Sequence, residues 1–232
     1  MRTVKSNLLL VSVLCFSLFG CLKNKTNSYL DEAKMKSQSG QFKEAYALYS
    51  KVLQRKSNLK ENLFAAKSAA NIAYLELKNY ESAIQLFDYL VVYSKDEKER
   101  VWAQETKAKI YFDNLLDFKQ SIVEYNKLIQ LNKKDKKQVD YKFQVAKSYY
   151  SLNDFYQAEV EVQSLLDKKI EATQRFKLLL FKGNIYLTTK KIDKAITVYT
   201  DLLKKYPEDS LKEKVALILA VSRRITEGVK LI

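Results

Sequence analysis

Two cysteines are the only soft nucleophiles in this chain, and histidine is absent altogether. That combination narrows the chemistry at once. Without imidazole there is no ready general base at neutral pH and no common transition-metal ligand. Two thiols alone cannot close a tetrahedral zinc site or build a disulfide framework. No glycine-rich phosphate loop and no Ser–His or Cys–His pairing is present, and the carboxylates fall on polar faces or in turns. No catalytic residue, metal, cofactor or small-molecule substrate is therefore expected, and the chain reads as a non-enzyme. One thiol has a chemistry of its own. Cys21 closes an apolar run, Leu8 to Phe19, that follows the basic residues Arg2 and Lys5. A run this short suits an export signal better than a membrane span.

The last four residues of that segment, Leu18-Phe19-Gly20-Cys21, resemble the bacterial lipobox. An ordinary N-terminal anchor would share the apolar run; the small Gly20 before the cysteine is what favours the lipobox. The resemblance implies cleavage before Cys21, a diacylglyceryl thioether on it and usually an N-acyl chain, and several acyl chains anchor stably where one does not. It also implies, from Leu22 rather than Asp after the cysteine, the periplasmic face of an outer membrane over the inner membrane or cell surface. Residues 1–20 are thus expected to be a signal peptide and 21–28 a lipidated tether.

The remaining residues must supply rigid elements. Four Gly and one Pro in 232 residues leave little for β-turns, while 47% apolar residues and sixteen Tyr are ample for a core. The pattern is helical throughout. In 176–209, Phe176, Leu180, Gly183 and Leu187 share one stripe and Ala195, Tyr199, Leu202 and Leu203 another, separated by a polar break and closed by Pro207. Gly183 and Ala195 are small where two antiparallel helices would cross. This stretch resembles a tetratricopeptide repeat (TPR), a helix–turn–helix unit of about 34 residues. Weaker copies precede it: Ala45, Ala83, Ser121, Ala158 and Ala195 recur at steps of 38, 38, 37 and 37. The extra residues are expected in longer helices or linkers, such as 94–100 and 132–138.

The resemblance implies an all-α, right-handed TPR solenoid of about five repeats over 29–209, with 210–232 as a C-terminal capping helix; Val215 to Val221 is apolar almost all round and would cover the last repeat. The regularly placed aromatics, among them Tyr74, Tyr149, Tyr186 and Tyr199, are read as packing rather than as a ligand site.

By that resemblance the working surface is the concave face lined by the first helix of each pair. Mapping its positions selects Ile72, Leu75, Ile110, Asn114, Phe143, Lys147, Tyr150, Asn184 and Leu187 as a partner-binding groove. Its mixture of apolar, amide and ammonium groups suits an amphipathic or extended segment. A Lys/Asn/Arg clamp for a terminal carboxylate is missing, since Ser68, Ile72, Thr106 and Ile110 stand at those places.

A net charge of +14 is compatible with an acidic partner or an anionic surface. An export signal argues against nucleic acid, and lysines spread over every repeat read first as a solvated surface. The expected role is a membrane-anchored, non-catalytic interaction scaffold of the cell envelope, binding envelope or periplasmic proteins. Within that role, Tyr29-Leu30-x-x-Ala33, Gly40-x-Phe42-x-x-Ala45 and Tyr206-Pro207-x-Asp209-Ser210 are similar to the lipoprotein of outer-membrane β-barrel assembly, and the last of these also to the cell-division coordinator of the Tol–Pal system. An accessory subunit of a peptidoglycan-processing or secretion machine is the remaining alternative.

Overall fold

The computed structural model describes residues 25–55, 58–131, 137–206, 216 and 218–220. Cys21, Pro207, the lysines at 133–136 and most of 210–232 lie outside them. Every regular element among the described residues is helical. Helix α1 spans 25–38. It is followed by α2 (Phe42–Gln54), α3 (Leu59–Asn71), α4 (Tyr80–Tyr93), α5 (Glu97–Lys109), α6 (Phe118–Leu131), α7 (Gln138–Ser151), α8 (Phe155–Leu166), α9 (Ala172–Thr188) and α10 (Ile192–Lys205). Odd-numbered helices open each hairpin and even-numbered ones close it, as the small-residue pattern requires.

The turn inside each hairpin has one backbone solution. Gly40, Lys78, Leu116, Asn153 and Lys190 all have positive φ, at +75°, +53°, +53°, +61° and +58°. Each stands five residues before the small residue of the closing helix: Ala45, Ala83, Ser121, Ala158 and Ala195, every one fully buried. A left-handed residue ends the first helix, and the chain re-enters the second within two residues. Where Asn79, Asp117 and Asp154 follow, their side chains accept the backbone N–H of Ser82, Gln120 and Gln157 at 3.0–3.1 Å, each an N-cap.

The two repeat lengths have a structural cause. In the second and third hairpins the opening helix finishes as a π-turn, Ile72–Glu76 and Ile110–Asn114. There the backbone N–H groups of Asn79 and Asp117 reach back six residues, to the carbonyls of Ala73 and Tyr111. In the fourth and fifth hairpins Asp154 and Lys191 reach back five, to Tyr149 and Tyr186. The thirty-eighth residue is therefore absorbed inside the helix as a bulge.

The chain divides into two compact units, Met1–Ile110 and Tyr111–Ile232. In the first, Leu30, Ala33, Ala45, Tyr49, Val52, Ala65 and Ala69 make one core cluster, and Ala70, Ala83, Phe87, Leu90, Ala103 and Ile110 continue it. Phe87 meets Trp102 edge-on at 5.4 Å. Lys107, only 3% exposed, is ion-paired with Asp88, which keeps a buried ammonium compensated.

In the second unit, Ala146, Ala158, Val162, Leu165, Leu178 and Ile185 form one cluster, and Phe176, Tyr186, Ala195, Tyr199 and Leu202 form another. Leu219 belongs to the latter at 7% exposure, with Ile218 beside it. Leu219 thus packs on the core of the last hairpin. Gly183 is needed here: a Cβ on it would lie 2.4 Å from Cε1 of Tyr199. That is the close helix crossing expected from residue size.

Candidate functional site

The residues expected to line a groove separate by a simple register rule. Ile72 and Ile110 stand two residues after the small residues Ala70 and Ala108. Ser148 stands so after Ala146, and Ile185 after Gly183. All four are core, at 5%, 0%, 0% and 0% exposure. Ile72 and Ile110 are therefore corrected from groove wall to core: a helical step of two from the crossing points toward the preceding hairpin, not toward the open face. Met35 makes the same point in reverse. It follows Ala33 by two, no described hairpin precedes it, and it is 62% exposed.

Within the first unit, Leu75 lies in the π-turn and is half exposed. Phe64, an exposed ring on α3, meets Tyr49 at 6.2 Å and Lys34 Nζ at 5.1 Å. Asn114 ends the second π-turn, exposed, in the other unit.

The remaining candidates converge on the open face of α7 and α9 in the second unit. Phe143 packs edge-on against Phe181 with ring centroids 5.3 Å apart, and Tyr150 meets the same Phe181 ring at 5.3 Å. Tyr150 also contacts Phe155 at 5.3 Å, and its hydroxyl is 2.6 Å from Oγ1 of Thr188. Three half-buried rings are thus held by two helices and one hydroxyl pair. Phe181 and Thr188 were missed in the sequence; each shares a helix face with Asn184, which counting from Gly183 would have shown.

Lys147 lies with Nζ 4.6 Å above the Phe143 ring. Burial lowers its pKa from the ordinary lysine value; Lys177 adds to the effect, while Asp113 and Asp140 oppose it. A half-desolvated ammonium over an aromatic wall suits a carbonyl or carboxylate arriving from a partner. Asn184 is partly committed inside the fold, since its Oδ1 accepts the Tyr199 hydroxyl at 2.7 Å. Leu187 packs against the cluster of Phe176 and Tyr199 and contributes support more than surface.

The face offers aromatic rings, the Lys147 ammonium and the Asn184 amide, and among these described residues no nucleophile stands beside a base. Among the described residues no group of three potential metal-ligating side chains occurs, and no helix is long and apolar enough to cross a membrane.

Residues 176–209 match the family model described as tetratricopeptide repeat. No curated protein sequence matches the chain. Among solved structures, similarity is found to YrrB, described as a TPR protein with an unusual peptide-binding site (15% identity, 81% of this chain and 90% of that one, TM-score 0.53). A putative kinesin light chain with nearly identical TPR-like repeats from Podosopora anserina is similar too (14%, 80% and 97%, 0.54). So is MamA from Desulfovibrio magneticus RS-1 (13%, 80% and 98%, 0.51). At these identities the likeness is one of fold, an all-α arrangement of TPR hairpins.

Proposed function

Starting from a TPR fold, which suggests a protein–protein interaction scaffold, we propose that this chain is a lipid-anchored scaffold of the bacterial cell envelope. It holds a segment of an envelope or periplasmic partner against the open face of α7 and α9. The observation that carries the reading is the trio Phe143, Tyr150 and Phe181, held edge to face yet only half-buried, with Lys147 above it. Apolar rings on a fixed two-helix platform can bury further area on a partner at little entropic cost. YrrB, a protein of similar fold described as having an unusual peptide-binding site, supports the reading that a segment of a partner is held. Anchoring rests on the lipobox-like residues ending at Cys21. The role is non-catalytic, and assembly of outer-membrane β-barrels is one pathway within it.

The test replaces Lys147 with a photo-crosslinking amino acid and recovers adducts from intact envelopes, beside a pull-down with Phe143→Ala. We expect one or a few discrete adducts, and about a 5–30-fold loss of the same partner in the pull-down, the range for a buried aromatic anchor. Circular dichroism confirms the fold of each variant. An adduct-free Lys147 position, with partner recovery undiminished by Phe143→Ala, would remove the α7–α9 face from consideration.

A further inference from the structure

A second surface in the same unit lies on the side of the closing helices. Here one face of α8 and Lys191, in the turn between α9 and α10, line an open hollow of about 360 Å³; the α8 residues are Tyr156, Glu159, Val160 and Gln163. Its two apolar residues are unusually bare, Tyr156 at 73% and Val160 at 42% exposure. At its polar end Lys191 belongs to a cluster of lysines around one ring. Lys182, Lys191 and Lys194 each place Nζ 5.6–5.7 Å from the centroid of Tyr186.

Glu159 sits at the centre of that cluster. One of its oxygens accepts the Tyr186 hydroxyl at 2.9 Å, and the other accepts Lys191 Nζ at 3.1 Å. Lys182 donates to Oε1 of Gln163 at 2.5 Å, and the Gln163 amide in turn donates to Asp167 at 2.6 Å. Three ammoniums thus gather at one ring with one carboxylate among them. Lys191, which lines the hollow, is paired with Glu159, so Lys182 and Lys194 leave the cluster a net positive charge beside the hollow.

We propose that this hollow is a second docking site for an acidic protein segment. A carboxylate of the partner meets Lys191 and Lys194, and a neighbouring apolar side chain covers Tyr156 and Val160. Charge complementarity selects the acid. The apolar wall selects a peptide over a lipid headgroup or a free phosphate, because neither would gain from covering a phenol ring and a valine. The volume fits a side chain or two rather than a whole helix. Glu159 occupies the cluster from within and competes with the incoming acid.

The experiment uses the full chain and fluorescence anisotropy with three probes: a labelled decapeptide of alternating Glu and Leu, its Gln/Leu counterpart, and vesicles with and without phosphatidylglycerol. We expect the Glu/Leu peptide to bind at least about tenfold more tightly than the Gln/Leu one, with affinity falling as salt rises. Lys191→Gln/Lys194→Gln should weaken it about tenfold, and Tyr156→Ser/Val160→Ser several-fold; the latter pair is exposed and leaves the fold intact. Glu159→Gln should tighten it, whereas a purely structural Glu159 would weaken it or leave it unchanged. Phe143→Ala, on the other face, should have no effect. Equal binding of the two peptides overturns the proposal. So does binding of anionic vesicles that responds to the lysines but not to Tyr156 and Val160, which would make this a membrane-facing surface.

Discussion

Replacing Gly183 with Ala tests the packing on which the fifth hairpin depends. A Cβ at that position would lie 2.4 Å from Cε1, 2.5 Å from Cζ and 2.9 Å from Oη of Tyr199. An aromatic ring could swing away if it were free, but this one is fully buried and its hydroxyl is tied to Asn184 at 2.7 Å. Two effects favour the substitution. Ala gains about 1 kcal/mol of helix propensity over Gly, and a buried methyl adds roughly 0.8 kcal/mol of transfer energy. Against them stand about 1–3 kcal/mol for overpacking and roughly 0.5–1.5 kcal/mol for the displaced hydrogen bond. Contacts far inside van der Waals distance place the overpacking at the upper end, so the balance is a net loss of about 2–3 kcal/mol. Denaturant unfolding followed by circular dichroism reads this directly, and the melting temperature should fall by roughly 4–12 °C. A cycle with Tyr199→Leu isolates the clash: the double variant should be more stable than the two single losses added together, by at least about 1 kcal/mol. If Gly183→Ala is as stable as the parent or more so, the helices do not cross closely here, and the reasoning from residue size is wrong.

Leu116 is 63% exposed and has φ +53°, a conformation an L-residue with a bulky side chain adopts at a cost of about 1–2 kcal/mol. Leu116→Asn should therefore raise stability by about 0.5–1 kcal/mol in denaturant unfolding; a decrease would mean that the leucine makes a contact worth more than the strain. Burial pushes the Glu159 carboxyl up, but hydrogen bonds from Lys191 and Tyr186 and the charges of Lys191 and Lys182 outweigh it, and its pKa lies below the usual 4.5. The stabilisation is present above that value and lost as pH falls through the lower folded value. Glu159→Gln should thus lose melting temperature at neutral pH and show a flatter profile below about pH 5; an unaltered profile counts against the ion pair. Tyr186 moves the opposite way, raised to about 12 by burial and by the Glu159 carboxylate. Its contribution should persist through pH 10 and fade as pH approaches 12, readable as a phenolate absorbance step missing from Tyr186→Phe. Cys21→Ala should abolish incorporation of labelled fatty acid and leave a soluble or uncleaved chain; failure of the unaltered protein to take up the label removes the anchor.

The amino-acid sequence alone was enough to set the repeat, because residue size and spacing are local properties. Ala45, Ala83, Ser121, Ala158 and Ala195 recur where helices must touch, and no other residue type fits a zero-exposure crossing so well. Helix type, hairpin pairing and the close approach at Gly183 were all legible from that pattern. The face each side chain presents was not. Ile72 and Ile110 differ from the neighbouring open-face positions by one residue, a rotation of about 100° on a helix, and an isoleucine is equally at home as a core residue or a binding anchor. Only the packed neighbours decide. The same holds for the residue that makes some repeats 38 long: length shows that it exists, but whether it enters a linker or a π-turn depends on whether the helix can bulge while Ala83 and Ser121 keep their crossings. The placing of Glu159 among the lysines around Tyr186 has the same origin. Glu159 and Lys191 lie 32 residues apart and meet only because two hairpins stack. Tertiary packing, which sets distance between residues remote in the chain, was needed to place them together.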